Sequence, residues 1–425
     1  MMRKLGFLLV LATHLLTACS GSAAAPTSTP VNTASAQATQ TRTPASTGQA
    51  VMGEFTLWLP PFLDSGADTP GSTLFAARLQ QFLDERPSLT LNVRIKEQSG
   101  PAGLLEALSA TSLAAPAALP DIILLDAASI NASALKGLIQ PLGALLPWTS
   151  TTQWYGHAIP PMLPGEQIYG LPMGSAADVL AYRISAYAAP PTSWADLLNS
   201  VGVFLFPAAD PTATFTLAQY ASLQGALSDE AGRPSLEATK FAEVLSFYAS
   251  LRSAGILPLS SLQNSSPSQS WNAMLAGKAA SAMAPLDEFL AKYNPATTSA
   301  LALPTHNGEG VLYADGWYWA IVTADPSRQE LAGALLEWLS APDFVGPLTY
   351  ALGLLPPTPA AFTMWPDERS TGIVSQLLDA ALPAPSAETL AIFGPIMQSA
   401  VEAVLRGTLS PQEAADAAAQ AVQNP

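Results

Sequence analysis

Gln167-Ile168-Tyr169-Gly170-Leu171-Pro172-Met173-Gly174-Ser175-Ala176-Ala177-Asp178-Val179-Leu180-Ala181-Tyr182 is the stretch whose reading decides the fold. It starts as an apolar strand and then meets Gly170, Pro172 and Gly174. Proline has no amide hydrogen to give to a ladder, and glycine lets the backbone come close to whatever lies beside it, so regular pairing is expected to break here. Val179 to Tyr182 resumes the apolar run, and Pro190-Pro191-Thr192-Ser193-Trp194-Ala195-Asp196-Leu197-Leu198 opens a helix behind a serine cap. Such a segment is how a chain passes a binding cleft.

Upstream, Glu54 to Leu59 alternates as a strand and stops at Pro60-Pro61. Phe75, Leu79, Phe82 and Leu83 recur at helical spacing, and Leu89, Leu91, Val93 and Ile95 alternate again, which makes a βαβ unit. A helix around Leu104, Leu105 and Leu108 leads into the apolar strand Asp121 to Asp126. Strands alternating with helices of this length predict a mostly parallel sheet covered on both faces. Ligands of such sheets sit outside the carboxyl ends of the strands, where Trp58 and Asp126 fall. Downstream, helices are expected over Phe215 to Leu227, Leu236 to Leu251 and Ile392 to Leu405. Others start at Asp325-Pro326, at a Ser340 to Asp343 box and at the Ser410-Pro411-Gln412-Glu413 capping box.

The 425 residues are too many for one ordinary core and suit two lobes. A formal net charge of -15, with no basic cluster after the N-terminus, argues against nucleic acid, whose phosphates need clustered Lys and Arg. The acidic balance favours a cationic ligand or simply solubility. With one cysteine, Cys19, neither an intrachain disulfide nor a thiolate metal site can form. A basic start at Arg3-Lys4, an apolar run from Leu5 to Leu16 and the ending Leu16-Thr17-Ala18-Cys19 read as a lipoprotein signal peptide over 1–18 with Cys19 lipidated. Residues 19–50, rich in Ser, Thr, Ala and Pro, then form a disordered tether. Anchoring by lipid, and not by a span, is the expected attachment.

The order "Tyr-Gly-Leu-Pro, small residues, apolar strand, Pro-Pro-Thr-x-Trp-x-x-Leu" resembles the family 1 extracellular solute-binding proteins, the maltose-binding-protein-like receptors of ABC importers. Pro120-Asp121-Ile122-Ile123, Leu138 to Leu142, the Met274 to Ala280 segment and the ending Gly407 followed by Ser410-Pro411-Gln412-Glu413-Ala414-Ala415 extend it from about Gly53 to the C-terminus. The resemblance implies an α/β, two-lobed periplasmic-binding-protein-like fold of type II. Each lobe would be a mostly parallel sheet flanked by helices, and a multi-crossing hinge would join residues 51–158 with 318–355 to residues 159–317 with 356–425. The recrossing strand would be Asp315 to Ile321, and the third crossing Gly353 to Pro356.

It also implies capture of a small solute, a sugar or oligosaccharide first, by hinge closure. Delivery to ABC permease subunits would follow, from a monomer anchored on the extracytoplasmic face of the cell membrane. The ligand residues so implied are Trp58, Asp126, Met173, Gly174, Ser175, Phe215, Trp271, Asp287, Gly316 and Trp317. Trp58, Trp271 and Trp317 either stack on ligand or pack structurally, and Asp126 either accepts a ligand hydroxyl or caps the next helix. Asp287 stands where carbohydrate-binding relatives often carry an aromatic residue, and Ile184 to Ala189 is shorter than the family's link.

Little supports catalysis. No Gly-x-Ser-x-Gly elbow, phosphate loop, dinucleotide fingerprint or His-Glu-x-x-His occurs. His157 and His306 have no second histidine or cysteine at metal-ligand spacing and read as surface or supporting residues. No cofactor, metal or catalytic residue is therefore expected. The rival readings are a lipid-anchored enzyme acting on extracellular polysaccharide and a sensory or scaffolding lipoprotein of the same fold.

Overall fold

The computed structural model describes residues 54–160, 162–163 and 167–423, so the expected signal peptide, tether and lipidated Cys19 lie outside the described residues. The first half of the described chain contains β1 (Phe55–Leu59), α1 (Pro70–Asp84), β2 (Leu91–Ile95), α2 (Leu104–Ala114), β3 (Ile122–Asp126) and α3 (Ala127–Leu135). A short antiparallel pair, β4 (Met162–Leu163) with β5 (Gln167–Ile168), precedes β6 (Leu171–Arg183). Then come α4 (Trp194–Leu198), β7 (Phe204–Leu205), α5 (Thr214–Ser222), α6 (Ala238–Ser253), α7 (Pro267–Leu275), β8 (Ser281–Pro285), α8 (Leu286–Lys292) and β9 (Thr298–Leu301). The remainder is β10 (Leu312–Ile321), α9 (Pro326–Leu339), α10 (Pro342–Leu352), α11 (Pro359–Phe362), α12 (Glu368–Ala380), β11 (Ala381–Pro383), α13 (Ala387–Arg406) and α14 (Pro411–Gln423).

Helix starts follow the capping chemistry. The Ser193 hydroxyl accepts from the Asp196 amide while the Asp196 carboxylate takes the Ser193 amide, and Ser410 and Glu413 do the same before α14. Asp325 caps α9 through the amides of Ser327 and Arg328. Ser340, expected to cap the next helix, instead ends α9. Ala341 is the N-cap of α10 without a side-chain bond, and Pro342 in the first turn spares it one orphan donor.

The sheet is mixed. β2-β1-β3 pair in parallel, as the βαβ reading requires, with Phe55 opposite Leu91 and Leu57 opposite Ile122. Both faces of these strands are covered. Phe55, Leu57 and Leu59 pack with Phe75, Leu79 and Phe82 of α1, while Trp58 points to the other side against Leu104 and Leu108 of α2. The long strands β6 and β10 enter antiparallel, β10 lying between β3 and β6, and β6 carries β8 and β9 on its far half.

The expected break near Gly170, Pro172 and Gly174 takes a different form. β6 runs uninterrupted for 13 residues, and the register against β10 jumps so that Gly174 faces Trp317 and Pro172 faces Tyr318. Met173 is the extra residue of a bulge, which accommodates the missing proline amide inside one continuous strand.

Two sets of cores follow. One gathers β1–β3, α1, α2, α9 and α10, and the other gathers the second half of β6, β8, α5–α7 and α12–α14. The chain changes set in three places. Met173 packs with the first and Ala177 with the second, Ala314 with the second while Trp317 packs on the first, and Leu354 with the first while Leu355 joins the second. These places lie side by side, because Ser175 is in register with Gly316 on one edge and bridges Leu355 on the other.

Candidate functional site

Where β6 and β10 change from one core set to the other, alternation turns Ala176 and Asp178 of β6, and Tyr313, Asp315 and Trp317 of β10, to a single face. Between them Ala177, Ala314 and Gly316 point inward and are buried. The outward set lines a pocket of about 450 Å³. Phe62 closes one side and meets Trp317 edge-on, ring centroids 5.0 Å apart. Leu352 to Leu354 close another, and Pro285 with Asp287 at the start of α8 a third. Phe62, Trp317 and Leu354 belong to or pack on the first core set, whereas Tyr313 and Leu390 pack on the second, so walls from both surround the space.

Gly353 allows this approach. It holds φ at +66°, and a Cβ there would stand 2.4 Å from the Asp287 Cα, so only glycine lets the end of α10 lie against the start of α8. Gly174 serves similarly, since a Cβ on it would stand 2.9 Å from the Thr349 Cγ2.

The electrostatics are acidic throughout. Burial pushes the Asp178 carboxyl up to about 7, with the negative fields of Asp210, Asp287 and Glu288 adding to it. Asp315 opens to the solvent of the pocket yet is walled by protein behind, and burial followed by the charge of Asp126 pushes it up to about 6. Asp287 is raised, chiefly by burial. No lysine, arginine or histidine is among the lining residues.

Of the residues expected from sequence, Asp287 and Trp317 line the pocket. The others sit elsewhere. Trp58 is 2% exposed among Leu104, Leu108 and Ile123, and Trp271 is 0% exposed, tilted against Phe289 at 5.7 Å. Phe215 is buried against Phe204, Phe206 and Tyr248. These three aromatic residues offer no face to the pocket, because each points into the layer between sheet and helix. Met173, Gly174, Ser175 and Gly316 are buried at the bulge and the crossing, where they serve the pairing of β6 with β10. Asp126 caps α3, its carboxylate accepting from the Ser129 amide at 2.7 Å, and stands in register with Trp317. His157 is not a surface residue but is 1% exposed. Asp178, Tyr313, Asp315 and Phe62 also line the pocket and stand outside the set expected from sequence. A charged residue inside an apolar strand is the signal that marks Asp178, and aromatic-x-acid-x-aromatic over 313–317 marks the β10 set.

A two-lobed α/β frame with an inter-lobe pocket on its crossing strands defines the class of extracytoplasmic solute receptors. A profile of the bacterial extracellular solute-binding proteins matches residues 81–370, more than half of the chain, and the protein belongs to that family. Among solved structures, the cyclic alpha-maltosyl-1,6-maltose binding protein from Arthrobacter globiformis is similar at 20% identity and TM-score 0.68, covering 87% of this chain and 97% of its own. The sugar-binding protein MalE from Xanthomonas citri matches at 19% and 0.68, covering 87% and 96%. Maltose-bound MalE3 from T. maritima matches at 16% and 0.66, covering 87% and 99%. These likenesses establish the maltose-binding-protein-like two-lobed fold. No curated protein sequence matches the chain significantly.

Proposed function

We propose that this protein captures a small polyhydroxylated solute, a carbohydrate, between its lobes and hands the closed complex to an ABC permease. The observation that carries the reading is the pocket itself. Trp317 and Tyr313 supply ring faces for the C–H faces of a sugar, while Asp315 and Asp178 on the same face supply acceptors for its hydroxyls. Walls from both core sets let one ligand touch both lobes at once, and a ligand shifts an open–closed balance only by the difference in affinity that such contacts create. The sugar-binding relatives of the same fold support a carbohydrate over other solutes.

The expected division, 51–158 with 318–355 against 159–317 with 356–425, is proposed with one adjustment. The packing of Met173 with the first core set and Ala177 with the second supports a first crossing at 174–176 instead of after 158. Lipidation at Cys19 and retention on the extracytoplasmic membrane face belong to the same proposal. No helix among the described residues is long and apolar enough to cross a membrane.

The test is a thermal-shift panel of mono- and oligosaccharides followed by solution scattering on the best binder, since a ligand specific to the folded state raises the melting temperature. A stabilising sugar that also reduces the radius of gyration is expected. Sugar binding without compaction would remove closure, and glycan turnover by the purified protein would replace the receptor with an enzyme.

A further inference from the structure

The pocket holds three carboxylates, Asp178 from β6, Asp315 from β10 and Asp287 from α8, and no cationic side chain lines it. None of the three takes part in an ion pair among the described residues. The groups behind them add to the field, for Asp210 and Glu288 face Asp178, and Asp126 faces Asp315. Elsewhere the chain treats a buried acid differently: Asp121, at the start of β3, is paired with Arg328 and bonded by the Thr56 amide. Asp178, half-buried and turned into the pocket, has only burial and neighbouring acids acting on it, and no hydrogen-bonded partner among the described residues.

Closure over a neutral solute would strip water from these carboxylates and bring nothing of opposite sign, which is costly for ionised groups. Trp317 and Tyr313 flank Asp315 on the same strand face, so ring faces that attract a cation lie beside the carboxylate that would pair with it. We propose that the solute this pocket is built for carries a positive charge, a protonated amine on a small hydroxylated frame, as in an amino sugar. The amine would sit between Asp178, Asp287 and Asp315, and the frame on Trp317. This rests on the solute-capture reading above and narrows it to one chemical class.

Calorimetry with matched probes tests it: glucosamine and its β-1,4-linked dimer against glucose and cellobiose, with spermidine as an amine lacking a sugar. The aminated sugars are expected to bind at least tenfold more tightly than their neutral counterparts. Their affinity should rise from about pH 5 to about pH 7, as Asp178 and Asp315 ionise against Asp126, Asp210, Asp287, Glu288 and Tyr318, and fall with added salt. Asp178→Asn and Asp315→Asn, which keep shape and an acceptor oxygen but remove charge, should each cost the aminated sugar tenfold or more and cost the neutral sugar a smaller factor. Glucose or cellobiose binding as tightly as the amine would overturn the charge and leave the carbohydrate receptor standing. Spermidine binding while every sugar fails would keep the charge and remove the carbohydrate. Failure of all five probes overturns both.

Discussion

Ser175 and Leu355 exchange both backbone hydrogen bonds, the Ser175 amide donating to the Leu355 carbonyl at 3.0 Å and the Leu355 amide donating back at 2.8 Å. Gly316 is in register on the other edge of Ser175, as a pair without its own hydrogen bonds, so the three chain crossings lie in one line across neighbouring strands. Such a line keeps its bonds while a few residues on each side of it absorb the rotation of hinge closure. The amides of Ser175 and Leu355 are therefore expected to exchange slowly in both ligand-free and ligand-saturated protein. Rapid exchange at these two positions in the ligand-free form would place the hinge elsewhere.

Gly353 is the second point where the lobes depend on backbone. Its φ of +66° and the 2.4 Å approach that a Cβ would make to the Asp287 Cα add conformational strain to a clash with main chain. Gly232, at φ +75° with no atom within 4 Å, carries the strain alone. Gly232→Ala should cost about 1 kcal/mol in urea unfolding and Gly353→Ala about 3 kcal/mol. Equal losses would mean that the start of α8 yields without cost.

The Asp121–Arg328 pair ties the amino end of β3 to α9 with two bonds, Nε to Oδ1 at 2.6 Å and Nη2 to Oδ2. The Asp121 side chain is 4% exposed, so removing the guanidinium leaves a buried carboxylate supported only by the Thr56 amide. Arg328→Leu is expected to destabilise by about 3 kcal/mol, and Arg328→Leu combined with Asp121→Leu by less than that single change. A double variant weaker than the single would show that the pair is not the source of the loss.

The frame was legible because its signals are periodic. Leu89 to Ile95 alternates, Phe75, Leu79 and Phe82 recur on one helix face, and Ser193 and Ser410 announce their helices, and each feature appears close to where it was expected. The site was less legible because a tryptophan has the same local sequence whether it faces a cleft or a core. Trp58 and Trp317 both sit in apolar strands, and only the placement of α2 over one and Phe62 beside the other separates them. The bulge at Met173 was hidden for a related reason, since it depends on the register of β10, which lies some 140 residues away in the chain.

Two buried titrations act in opposite directions on stability. Burial lowers His157 to about 4, so the fold prefers its neutral form. Stability is held above about 6.5 and lost as pH falls through 4, by roughly 3 kcal/mol if the full shift is expressed. Asp178 is raised to about 7, so its contribution is fully present below about 3.8 and is lost as pH rises through 7. Ligand-free Asp178→Asn should therefore melt above the parent at pH 8 and with it near pH 4, while His157→Phe should flatten the decline between 6.5 and 4. An Asp178→Asn protein with no gain at pH 8 would show that water solvates this carboxylate well.

Trp317 and Trp58 make the sharpest pair of substitutions, because both are strand tryptophans with different surroundings. Trp317 lines the pocket in a T-shaped contact with Phe62, so Trp317→Ala should weaken solute binding by about 1–3 kcal/mol while changing the urea midpoint modestly. Trp58 is buried beneath α2, with the Lys96 ammonium 4.9 Å from its ring and no partner for its indole N–H among the described residues. Trp58→Ala should cost about 3–5 kcal/mol of folding stability and leave the affinity of the molecules that remain folded unchanged. Calorimetry and urea unfolding on both variants separate the two roles. A Trp58→Ala protein of parental stability and reduced affinity would return that ring to the cleft, and unchanged affinity in Trp317→Ala would take the β10 face out of the binding site.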